Sequence, residues 1–169
     1  MPSSAARRQV RSALTSIKAL MPVPWSIDEL TRSLAIRRRR PIELTAWPFP
    51  TGESSPSGLW LPSAKADYIF YDASASPARR EQIIGHELGH LLLGHAPRLL
   101  DASGDLLDTL APSVSPALAH RFLAMARTGY DDDAEAAAEF FGTSLGQLGA
   151  AGTAFRQDGE LGRLAEVLR

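Results

Sequence analysis

Apolar residues along this chain fall into runs of two kinds, helical in spacing at both ends and strand-like in the middle. Residues from about Ser4 to Leu20 read as a helix, which Pro22 and Pro24 break. Ser26 and Glu29 then form a capping-box pattern ahead of Leu30 and Leu34, and this second helix is expected to end in the Arg37 to Arg40 run before Pro41. Three strand-like pieces follow, Ile42 to Trp47, Gly58 to Leu61 and Asp67 to Asp72. They are separated by the Pro/Gly/Ser-rich stretch Pro48 to Ser57 and by Pro62 to Ala66. Ser76-Pro77 supplies an N-cap and a first-turn proline for a helix predicted to run to Leu93, with Gly94 as its stop. The stretch Leu99 to Ser115 reads as loop with one short turn at Leu106, Leu107 and Leu110, and Ser115-Pro116 opens a helix to about Thr128. An Ala-rich helix is expected from Ala134 to Leu148. A Gly-rich joint at Gly146 to Gly152 and a last helix near Glu160 to Leu168 complete the chain. The fold class implied is α+β: a small, mostly antiparallel sheet of about three strands packed on a helical core, with N-terminal helices.

Charge divides this order unevenly. Residues 1–40 hold 9 Lys/Arg against 2 Asp/Glu, and the remainder holds 9 against 17. The expected organisation is a basic helical segment (1–40), packed on or extending a core domain (41–169). A basic segment can meet nucleic acid, but it can equally pack on the acidic remainder of its own chain, and the second reading is preferred. The stretch Val10 to Leu20 is interrupted by Arg11, Thr15, Ser16 and Lys18, so it lacks the apolar core of an export signal. The absence of Cys removes thiolate zinc sites and thiol nucleophiles together. A cytoplasmic, membrane-free protein is expected, and any metal must use His and carboxylate ligands.

The central helix carries the clearest chemistry. His86-Glu87-Leu88-Gly89-His90 satisfies His-Glu-x-x-His. Two residues four apart on an α-helix are separated by about 400° of rotation and about 6 Å of rise, so both imidazoles leave nearly one face and can grip one ion. Glu87, about 100° round from His86, suits a general base on a metal-bound water better than a ligand. Flanking Ile83, Ile84, Leu88, Leu91 and Leu92 predict a helix buried against the sheet.

A catalytic zinc site needs a third protein ligand and an open position. His95 lies five residues past His90 and beyond Gly94, which points it away from the pair and favours a structural role or a hydrogen bond to a ligand. Glu135 is the better third ligand: it shares a helix face with Glu139, while Phe140, Phe141 and Leu145 bury much of the rest. The alternative is an exposed acidic face on an Ala-rich helix. Asp131 to Asp133 read as caps and solvated charge. Tyr130, His120 and His95 are unranked candidates to stabilise an oxyanion.

Over about Ile42 to Leu145 the chain resembles the ImmA/IrrE family of metallopeptidases. The resemblance rests on the strands before the motif, on REQIIGHELGHLLLGH (Arg80 to His95), and on EAAAEFFGTSL (Glu135 to Leu145). The last resembles a family helix of Glu, two variable residues, Ala, Asp or Asn, one variable residue and Phe-Ala. Here Glu139 stands in place of Asp or Asn and Gly142 in place of Ala. The resemblance implies His86, His90 and Glu135 as zinc (Zn2+) ligands, Glu87 as general base and Glu139 as a hydrogen-bond partner of a ligand histidine. It also implies a peptidase acting on a helix-turn-helix repressor, the alternative being a zinc-bearing regulatory or toxin-type module that binds its partner without cutting it. The strand around Tyr68 to Tyr71 is the expected sheet edge for an extended substrate.

Overall fold

The computed structural model describes residues 1–49, 57–63, 65–95 and 130–167, with side chains as far as Arg156. The expected Ser115 to Thr128 helix, the Leu99 to Ser115 stretch and His120 lie outside the described residues. Helix α1 (Ser4–Ile17) is capped by Ser3, whose hydroxyl accepts from the Ala6 N–H, and it tightens into a 3₁₀ turn at Lys18–Leu20. Its buried residues Ala6, Val10, Leu14 and Ile17 fall at three- and four-residue spacing. Helix α2 (Ile27–Arg38) starts on the expected Ser26 cap and stops where Arg39 adopts a left-handed conformation at φ 53°. Both helices bury their apolar faces in the same core as Ile84 and Leu88 of helix α3 (Pro77–Leu93) and Phe141 and Leu145 of helix α4 (Asp132–Val167).

Strands β1 (Ile42–Trp47), β2 (Gly58–Pro62) and β3 (Asp67–Asp72) form one sheet in the order β1-β3-β2. The α+β class and the three strands are as expected, but the sheet is mixed. β2 and β3 pair antiparallel, from Gly58 opposite Tyr71 to Pro62 opposite Asp67, whereas β1 and β3 pair parallel, from Ile42 opposite Asp67 to Trp47 opposite Asp72. The chain does reverse at each connection. β3, however, inserts between its predecessors, and the connection from β1 to β2 is long enough to cross the roughly 10 Å this requires. Composition explains the choice of centre. Ile69 faces the helices and Phe70 the opposite side, so Tyr68-Ile69-Phe70-Tyr71 has apolar groups for both faces, as a central strand needs.

This order corrects the expectation that Tyr68 to Tyr71 offers a docking edge, since both its sides are already paired. The edge beside the motif helix is β2. The Asp72 N–H donates to the Ser57 carbonyl at 2.9 Å, which sets the hydrogen-bonded pairs of the ladder. Alternation then turns the main-chain groups of Gly58, Trp60 and Pro62 away from β3. Pro62 has no N–H to leave unpaired there.

The arginine run closes inward. Buried Asp67 accepts from Arg38 Nη2 (3.0 Å), Arg40 Nε (3.1 Å) and Trp60 Nε1 (3.2 Å), and Arg37 donates to the Ser16 carbonyl. These contacts tie the end of α2 to the sheet. Among the described residues no helix is long and apolar enough to cross a membrane.

The largest departure from expectation is α4, a single helix through the predicted Gly-rich joint. Glycine costs about 1 kcal/mol against alanine in a helix interior, so tertiary packing must offset it. A Cβ at Gly149 would lie 2.2 Å from Trp25 Cδ2, and the Trp25 N–H donates to Thr153 Oγ1 at 2.7 Å. The glycine admits the indole against the helix; it does not interrupt it.

Candidate metal centre

The site is assembled where α3 crosses α4, and small residues make that crossing possible. A Cβ at Gly142 would stand 2.9 Å from the His86 main-chain nitrogen, and one at Gly89 3.0 Å from Ala138 Cα. The two backbones thus approach through Gly85 and Gly89 on one helix and Ala138 and Gly142 on the other. This accounts for Gly142 standing where the resembling pattern has Ala: the side chain has no room. The same approach carries Glu135, one turn into α4, over the motif histidines.

His86 Nε2 and His90 Nε2 face one another at 3.0 Å, Glu135 Oε2 lies 3.4 Å from His86 Nε2, and Glu135 Oε1 lies 3.8 Å from His90 Nε2. Four ligands held tetrahedrally at 2.0–2.1 Å, the usual zinc–nitrogen and zinc–oxygen lengths, stand about 3.4 Å apart. The contacts between the three side chains therefore bracket the spacing of a zinc coordination shell. Two nitrogen lone pairs and a carboxylate directed at one another need a positive charge between them. His86 shows the same demand: burial opposes its protonation, but Glu135, Glu87 and Glu139 outweigh burial and raise its pKa. Burial, then the neighbouring His86, lowers His90 to about 3, so its ring is neutral and its Nε2 can serve as a lone-pair donor. Hydrogen bonding to His86 holds Glu135 below its usual range, hence ionised.

The remaining ring nitrogens have their own partners. His86 Nδ1 lies 3.5 Å from Glu139 Oε2, and His90 Nδ1 lies 3.1 Å from His95 Nδ1. His95 thus sits behind His90, on the nitrogen turned away from the cluster, where a hydrogen bond can fix which nitrogen of His90 faces Glu135. The glutamate pair is not buried. Glu135 is half exposed and Glu139 mostly exposed, so they close the cluster from its solvent side while α3 closes it from the core.

Glu87 points the other way round the helix, toward β2. It is buried, and the Trp60 main-chain N–H donates to its carboxylate. Gly58 is needed beneath it, because a Cβ there would lie 2.8 Å from Glu87 Oε1. Burial pushes the Glu87 carboxyl up to about 7 against the opposing pull of His86 and Trp60, which matches the requirements of a group that takes and returns a proton near neutrality.

Tyr130, just ahead of α4, lies flat on His90, with ring centroids 3.9 Å apart and planes 14° from parallel. Its hydroxyl is buried without a hydrogen-bond partner among the described residues, and burial together with the charges of Glu87 and Glu135 raises its pKa. The sequence places Tyr130 only next to the acidic run. It carries no signal for the stack. Trp60 and Gly58 were equally invisible as parts of the site, because their roles depend on which strand lies beside α3.

His86, His90 and Glu135 form a group able to hold a metal ion. No curated protein and no solved structure matches the chain significantly. The model of the IrrE N-terminal-like domain of the M78 peptidases does match, over residues 37–111, a span that includes the sheet, His86, Glu87, His90 and His95 and ends before Glu135. With the motif helix and the strands before it inside that span, this part of the chain is similar to the IrrE N-terminal-like domain, a metallopeptidase-type domain.

Proposed function

We propose that this chain is a zinc-dependent endopeptidase, with His86, His90 and Glu135 as ligands and Glu87 as general base. The reading is carried by one observation, the convergence of two imidazoles and one carboxylate, with contacts of 3.0, 3.4 and 3.8 Å, beside the buried carboxyl of Glu87. Bound there, zinc would supply Lewis acidity toward a water molecule and a carbonyl oxygen. Glu87 takes a proton from the attacking water as its oxygen bonds to the carbonyl carbon, then delivers it to the amide nitrogen as the C–N bond breaks. The products are a carboxylate and an amine. Glu139 and His95 hold the two imidazoles in orientation through their outer nitrogens.

An extended substrate would lie along β2, the sheet edge nearest Glu87, using main-chain groups that Glu87 does not engage, and this replaces the edge expected from sequence. The substrate class proposed is a helix-turn-helix repressor, supported by the family resemblance. The test is incubation of the zinc-loaded chain, and of a Glu87→Gln variant, with helix-turn-helix repressors from the same genome. Loss of intact regulator with the wild type, slowed about 10³-fold in the variant, is expected. Equal loss in both samples would overturn the peptidase reading, and stable binding without cleavage by the wild type would replace it with sequestration.

A further inference from the structure

The chain buries one hydroxyl that the proposed chemistry has not used. Tyr130 Oη is sealed from solvent with no hydrogen-bond partner among the described residues. Leaving such a group unpaired costs about 1–3 kcal/mol, and retained orphans of this kind call for a reason. Position supplies one. The phenol ring is stacked on His90 at 3.9 Å, so its place is fixed by a residue of the metal cluster, and Tyr130 is five residues ahead of Glu135 on the segment that leads into α4. Burial first, and then the charges of Glu87 and Glu135, keep the hydroxyl protonated. The other candidates are less well placed. His95 is occupied on the far side of His90, and Glu139 is an acceptor.

We infer that Tyr130 is a catalytic residue whose hydroxyl donates a hydrogen bond to the substrate's carbonyl oxygen as that oxygen gains negative charge. The inference rests on the peptidase reading above. The donor keeps its proton throughout: it strengthens its bond to the oxygen as water adds, and loosens it when the C–N bond breaks and the new carboxylate forms. Stacking on His90 fixes the ring beside the cluster, and substrate entry must uncover the hydroxyl before its bond to the carbonyl oxygen can form. The free protein keeps the hydroxyl unpaired because its partner arrives with the substrate.

The experiment uses the zinc-loaded full chain. A proteome-derived peptide library, read by mass spectrometry, identifies a peptide that the wild type cleaves; a wild type that binds zinc but cleaves none overturns the peptidase reading and this inference with it. On the selected peptide, Tyr130→Phe keeps the ring and removes only the hydroxyl. We expect kcat to fall about 10²-fold or more, as for loss of a single oxyanion donor. KM should change less than about threefold, with zinc content and melting temperature unchanged. Affinity for the phosphinate analogue of that peptide, measured by calorimetry, should fall by a similar factor. Tyr130→Leu, which also removes the stack, should cost no less. A Tyr130→Phe enzyme with wild-type kcat and phosphinate affinity would overturn the assignment while leaving the peptidase intact. Loss of zinc in that variant would overturn it too, by making the tyrosine a support for His90.

Discussion

Two polar clusters lie on either side of Trp60, and they differ in how their polarity is satisfied. On one side the indole N–H joins Arg38 and Arg40 around Asp67, so that a buried carboxylate has three donors from its own chain. On the other, the Trp60 main-chain N–H reaches Glu87, and beyond it the Nε2 atoms of His86 and His90 and the carboxylate of Glu135 converge. The first cluster is closed and stabilises the fold. The second is able to hold a metal ion, and among the described residues it keeps a raised carboxyl and an orphan hydroxyl besides. Buried polarity with fixed internal partners reads as structure, and buried polarity that converges without them reads as function.

Mutation should separate the two clusters, and the largest stability effect belongs to the closed one. Asp67→Asn leaves two guanidinium groups without their carboxylate. An unfolding free energy lower by about 2–3 kcal/mol in urea titration is expected, with zinc affinity unchanged. A parallel loss of zinc would mean that the clusters are coupled through Trp60. Next comes Gly142→Ala, which forces a methyl against the His86 backbone. We expect a loss of about 1–2 kcal/mol and weaker zinc binding, because the crossing that brings Glu135 over the histidines is pried open. Gly146→Ala, four residues on and facing open space, should instead gain up to about 1 kcal/mol from helix propensity alone. The pair of melting curves tests the packing argument.

The smallest effect should come from a surface tie between α2 and α3. Arg80 grips Asp28 at 2.6 and 2.9 Å, and that hydrogen bond holds the Asp28 carboxyl below its ordinary 3.8. A depressed folded value means that the stabilisation is complete above the unfolded pKa and disappears as pH falls through the folded one. Asp28→Asn should therefore cost under about 1 kcal/mol near neutrality and nothing further in strong acid. Denaturation midpoints at pH 7 and pH 2.5 would show it, and an equal deficit at both values would contradict the linkage.

What the sequence disclosed follows the range of the forces involved. Ser26, Ser76 and Gly94 act on their own helix ends, and His86 and His90 act within one turn, so caps and motif could be read from neighbours alone. Glu135 was within reach because its spacing to Glu139 and Phe141 is also helical. The order of the strands was not, since the insertion of β3 between β1 and β2 depends on long-range packing of both faces of Tyr68-Ile69-Phe70-Tyr71. The Gly-rich joint misled for the same reason. Glycine marks either a break or a close approach, and Trp25, far away in sequence, decides for the second. Tyr130 was a candidate without rank until its ring was seen on His90.

The central claim is that the open cluster is a zinc site completed by Glu135. Its most direct test is a zinc titration of the chelator-treated chain, in competition with a chromogenic chelator, alongside Glu135→Ala. The account predicts equimolar zinc in the wild type and binding about 100-fold weaker or more in the variant, with both folded. Zinc bound equally tightly by the two proteins, or by neither, would contradict it.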